Sequence, residues 1–161
     1  MKKRTLRILL NLLLVVASWI IVFHYYPLLP EEVPTHYGLH GPPDSWGRKS
    51  TIFTVPTVQA GLVALLLVLS LLVKRYPRGY NFPIDPKTLS DRTRDKLYRQ
   101  TGDLFLVIGI IINLLFLYII VTNINVALGV WGGINGYVTV LIICSIGWTI
   151  IHYIVRVKRL H

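Results

Sequence analysis

The chain has 161 residues, 53% of them hydrophobic and only 15% charged, with a mean hydropathy of +0.58. Lys and Arg outnumber Asp and Glu by 17 to 7. Nearly all the apolar residues fall in four blocks, each close to the ~20 residues a bilayer-spanning helix needs, and the positive charge lies between them. That distribution excludes a soluble enzyme, a disordered tail and a nucleic-acid-binding domain.

The first block covers about residues 8–29, behind Lys2, Lys3, Arg4 and Arg7. It is longer than the ~7–15 apolar residues of a signal-peptide core and no small-residue cleavage site follows it, so an uncleaved signal anchor is expected. Tyr25, Tyr26 and Pro27 mark its interfacial end. The second block is about residues 51–73, where Ser50 or Thr51 can cap the helix and Pro56 is tolerated near the first turns. The third is about 103–121 and the fourth about 136–155. Residues 122–135, with Asn123, Asn125, Gly129, Trp131, Gly132 and Gly133, read as the turn between them. Ahead of the third span, Pro77, Gly79, Pro83 and Pro86 resist helix. A polar helix from about Leu89 to Gln100, capped by Thr88 or Ser90, then leads into it.

The expected fold class is therefore an all-α integral membrane protein. Four transmembrane helices form an antiparallel bundle, as a single membrane domain over residues 1–161, with an ordered extracytoplasmic loop at 30–50 and a cytoplasmic loop at 74–102. Orientation follows from the basic residues. The N-terminal tail holds 4, the loop from Lys74 to Gln100 holds 8 and the C-terminal tail 3, against 2 in the loop at 30–50 and none in the last turn. Both termini then lie in the cytoplasm of a multi-pass protein of the cell membrane. The basic loop meets anionic lipid heads, or a cytoplasmic protein partner.

The loop at 30–50 is the informative segment. It holds Glu31, Glu32, Asp44, His36, His40, Arg48, Lys49 and Trp46 among Gly, Pro and Ser residues that set a definite backbone path. Two readings compete. If Pro34 opens one helical turn, His36 and His40 share a face, and Asp44 or Glu31 completes a nitrogen/oxygen site for Zn²⁺. A zinc ion with an open position would make the chain a metal-dependent membrane hydrolase. Gly38, Gly41, Pro42 and Pro43 oppose a regular helix there, and Tyr37 stands where a zinc-peptidase helix carries its glutamate. In the other reading Asp44 pins the loop, His36 bonds a neighbouring carbonyl or carboxylate, Trp46 packs at the interface, and Lys49 pairs with Asp44 or a lipid phosphate.

Within the spans, Gln59 and Asn113 are amides in hydrocarbon, costly unless bonded, so both should face the bundle interior. They serve as glue between helices, or else line the path of a small transporter. Asn11, Ser18 and Thr149 are milder cases, and His24 lies near enough to the loop to strengthen a metal reading. Cys144 is the single cysteine, in the fourth span, so an intrachain disulfide is impossible.

The pattern Leu29-Pro30, Pro34-x-His36, Gly41, Pro43-Asp44-x-Trp46 and Lys49, followed by Asn81-Phe82-Pro83, resembles a bacterial and archaeal membrane domain of unknown function. That domain forms the N-terminal part of SdpI-like toxin-immunity proteins. The resemblance covers about residues 8–122. It implies an integral membrane protein of the type that protects a cell from a secreted toxic peptide and holds a transcriptional repressor at the membrane. His36, Gly41, Asp44, Trp46, Lys49 and Asn81 are the positions it marks. His40 is outside the family pattern, and the family's further C-terminal domain finds no counterpart here. The expectation is a binding and sensing protein rather than an enzyme, with no resident cofactor unless the histidines hold zinc. Its partners are the bilayer, an extracytoplasmic peptide, a cytoplasmic protein and, as an open option, a second copy of the chain; nucleic acid is not among them.

Overall fold

Four helices carry most of the chain in the computed structural model, which describes residues 2–38 and 41–160. They are α1 (Lys2–Tyr25), α2 (Thr54–Leu72), α3 (Asp91–Ala127) and α4 (Gly136–Lys158). Among the described residues these four are long and apolar enough to cross a bilayer. Between α1 and α2 the chain forms an antiparallel hairpin, β1 (Glu32–Tyr37) and β2 (Pro43–Arg48). The hairpin lies at one end of the bundle, and Arg4, Arg7 and Lys74 lie at the opposite, basic end.

The expected four spans are present, with differences in extent. α3 is one continuous helix of 37 residues, roughly 55 Å long at 1.5 Å per residue. The polar stretch begins at Ser90, whose hydroxyl accepts from the Thr93 amide, and runs into the apolar span without a break. At the other end α3 continues to Ala127, through Asn123 and Asn125, which read as turn residues in the sequence. Neither asparagine breaks the helix: Asn125 Nδ2 donates back to the Val121 carbonyl, and Asn123 accepts a bond from the hairpin. The stop comes at Gly129, at φ +73°. Val130 N donates to Asn125 O and Gly129 N to Val126 O, the paired bonds of a Schellman end. α2 also departs from expectation. Neither Ser50 nor Thr51 caps it; a 3-10 turn over Lys49–Phe53 feeds the helix, with no side-chain cap.

α3 is the hub, packing against α1, α2 and α4, whereas α4 packs chiefly on α3 and buries only Val157. Where helices meet inside a bilayer the lipid is as apolar as the side chains, so association depends on close approach and hydrogen bonds. Both occur along one face of α3. At Gly102 an added Cβ would stand 2.9 Å from Ser70 O of α2, and at Gly109 it would stand 2.5 Å from Asn11 Oδ1 of α1. One helical turn beyond Gly109, Asn113 sits fully buried between α1 and α2. Apolar clusters close the two ends, where water is the competing environment. At the hairpin end Val22, Leu29, Val33, Ile52, Ile120 and Ile124 pack together. At the basic end Leu89, Leu97 and Val157 hold the 74–90 loop and the end of α4, with Phe82 and Tyr153 against them.

Candidate functional site: the hairpin cap and its anchors

The hairpin arises where a Val/Thr/Tyr-bearing segment and a second extended segment flank a Gly/Pro-rich bend. Its register runs Glu32↔Arg48, Val33↔Gly47, Pro34↔Trp46, His36↔Ser45 and Tyr37↔Pro43. Two irregularities interrupt it, leaving Thr35 extra on β1 and Asp44 extra on β2. Such bulges re-aim side chains. Here they bring His36 Nδ1 to 2.5 Å from Asp44 Oδ1. A carboxylate can only accept, so Nδ1 carries the hydrogen and Nε2 is left for a ligand. The pair is open to solvent, with 70% of the His36 and 51% of the Asp44 side chain accessible. The hydroxyl next along β2, Ser45 Oγ, accepts from Thr35 Oγ1.

The helical turn that a two-histidine metal site required is absent, because Pro34 and His36 lie in extended strand. His40 falls outside the described residues. Among the described residues no three His, Cys, Asp or Glu side chains gather to hold a metal ion. His24 turns to the Tyr25 ring, 5.0 Å away and edge-on. Lys49 pairs with neither Asp44 nor, among the described residues, any other acid than Glu31. Its Nζ lies 2.9 Å from Glu31 Oε1 and its amide donates to Glu31 O at 2.8 Å. The register explains this, since Glu32↔Arg48 sets Glu31 beside Lys49 while Asp44 sits near the hairpin tip. The ammonium also stands 5.5 Å over the Tyr26 ring. Trp46, 48% exposed, stands on the outward strand.

Val33, Tyr37 and Gly41 tie the cap to the helices. Val33 is buried in the hairpin-end cluster. Tyr37 donates its hydroxyl to Asn123 Oδ1 of α3 at 2.7 Å. Burial, together with nearby Tyr118, pushes the Tyr37 phenol up to about 12, so it remains a donor. Gly41, at φ +96°, accepts from the Ile134 amide in the α3–α4 turn at 2.8 Å. A cavity of about 230 Å³ lies under β1, between Pro34, Thr35, Ile52, Val55 and Asn123.

The remaining marked residues lie elsewhere. Asn81 is exposed in the loop at the far end of α2, and its neighbour Phe82 does the packing, 5.5 Å from Tyr98. Gln59 and Asn113 face the interior as expected, both 0% exposed. Gln59 Nε2 donates to Asn113 Oδ1 at 2.7 Å, and Asn113 Nδ2 to Asn11 Oδ1 at 3.0 Å. Asn11 Nδ2 then reaches the Leu106 and Arg7 carbonyls. In the sequence Asn11 reads as a milder case than the other two amides. The signal that could have raised it is the same one used for them, an amide in a span that needs a partner.

The fold defines a multi-pass membrane protein in which a β-hairpin caps one end of the helices. Residues 13–60, from within α1 through the hairpin into α2, match the family described as "domain of unknown function (DUF1648)". An uncharacterized protein of the archaeon Archaeoglobus fulgidus is 35% identical over 78 residues, covering 46% of this chain and 43% of the relative. The chain thus spans less than half the length of the curated relative it matches. No solved structure matches it. The family match includes His36, Gly41, Asp44, Trp46, Lys49 and Gln59, and leaves out Asn81 and Asn113.

Proposed function

We propose that this is an integral membrane binding and sensing protein, with the hairpin end outside the cell and the basic end in the cytoplasm. The hairpin recognises an extracytoplasmic peptide, as the resemblance to SdpI-like immunity proteins implies. The observation that carries this reading is how the cap is built. His36, Asp44 and Trp46 stand exposed on strands of a hairpin whose Tyr37, on β1, and Gly41, in the bend, are hydrogen-bonded to α3 and to the α3–α4 turn. A ligand that favours one arrangement of such a cap also shifts the helices bonded to it.

The free edge of β2 suits an extended peptide. β2 pairs only with β1 among the described residues, so its other edge offers main-chain N–H and C=O groups. The His36 ring, the Asp44 carboxylate and the Trp46 indole then supply side-chain recognition. Fifteen of the seventeen basic residues lie toward the other end, which supports the orientation and gives a cytoplasmic partner a basic surface.

The test is protection. A sensitive bacterial host is challenged with a secreted toxic peptide of the kind the resembling proteins neutralise. Expression of the chain is expected to raise survival, and His36→Ala, Asp44→Ala or Trp46→Ala to remove the gain at unchanged protein level. Equal survival in the empty host, the wild type and the variants would overturn the reading.

A further inference from the structure

The basic end holds a larger concavity that the hairpin does not use. A cavity of about 430 Å³ opens along α3, flanked by α1 on one side and α4 on the other. Polarity changes along it in the same direction on both long helices. On α3 the lining passes from Val107 and Leu104 to Asp103 and Gln100; on α4 it passes from Trp148 through His152 to Arg156. The α4 residues are spaced by four, which places them on one helical face. The cavity is therefore apolar toward the middle of the spans and cationic toward their end.

The polar end is partly organised and partly unfilled. Arg7 of α1 pairs with Asp103 Oδ2 at 2.8 Å, which holds one side of the guanidinium and leaves its remaining N–H groups available. Arg156 makes no hydrogen bond or ion pair among the described residues, and it is exposed at the rim. Gln100 Oε1 is buried in the same lining without a hydrogen-bond partner among the described residues. A buried acceptor left unmade is costly, so a donor is wanted there.

We propose that this groove binds one anionic phospholipid whose headgroup carries a hydroxyl. The phosphate bridges Arg7 and Arg156, the headgroup hydroxyl donates to Gln100 Oε1, and an acyl chain runs along Leu104, Val107 and Trp148. Free phosphate shares the chemistry of the rim but has nothing to place on the apolar wall. General attraction between basic residues and anionic membranes needs neither the cavity nor the orphaned acceptor.

Native mass spectrometry of the full chain, released from neutral detergent, separates these cases. Dioleoyl phosphatidylglycerol, dioleoyl phosphatidylcholine and inorganic phosphate are supplied in separate arms. One phosphatidylglycerol is expected to stay bound, with phosphatidylcholine and phosphate retained far less. Arg156→Gln removes no side-chain bond among the described residues and is expected to weaken phosphatidylglycerol about tenfold. Lys158→Gln makes the same charge change on α4 outside the cavity, and is expected to leave binding unchanged. Equal weakening by the two variants would reduce the effect to diffuse charge and overturn the site. Retention of phosphatidylcholine as tight as phosphatidylglycerol would overturn selection for an anion, and phosphate binding as tight as the lipid would overturn the lipid.

Discussion

Asn113 uses both halves of its amide inside the bilayer. It accepts from Gln59 of α2 and donates to Asn11 of α1, so a single side chain joins three helices. Asn113→Ala leaves Gln59 Nε2 and Asn11 Oδ1 without that partner, where lipid offers none. The expected loss is about 1–2 kcal/mol of stability, read from unfolding in mixed micelles. Asn125→Ala, which removes only a bond within α3, is the control and should cost less. Tyr37 sets a pH dependence. Its folded value, raised to about 12, lies above the ordinary phenol value of 10.0, so the fold favours the protonated form. That stabilisation is whole below pH 10 and is lost as pH rises through about 12. Wild-type stability should therefore fall in that window more than that of Tyr37→Phe, which has no proton to lose.

At the scale of elements, the hairpin tip and the α3–α4 turn fit backbone to backbone. A Cβ on Gly133 would stand 2.1 Å from Gly41 O, beside the Ile134–Gly41 hydrogen bond. Gly133→Ala should break that junction at a cost of about 1–3 kcal/mol. Hydrogen exchange should quicken at the Ile134 amide while the α1–α3 interior keeps its protection. The four spans were legible because the bilayer imposes one length and one composition on each of them. The hairpin was not, because Pro34 inside β1 and two bulges blur the alternation that marks a strand. The end of α3 was misplaced for a different reason. Asn123 and Asn125 look like turn residues until Tyr37 and the Val121 carbonyl take up their amides.

For the whole molecule, hydrogen bonds run from the cap to the middle of the bundle. Tyr37 holds α3 at Asn123, and α3 holds α1 and α2 through Asn113. The individual cap residues were legible as a pattern. Their pairings were not, since His36–Asp44 and Glu31–Lys49 depend on a register that local sequence does not specify. The family match over residues 13–60 falls on this cap and its two flanking helices. The most direct measurement is site-specific photocrosslinking in living cells exposed to the toxic peptide from outside. A photoreactive phenylalanine replaces Arg48, exposed on β2, in one strain and Arg78, in the loop at the basic end, in another. A peptide adduct at position 48 with none at position 78 is the expected result. No adduct at 48, or equal adducts at both, would contradict recognition by the hairpin.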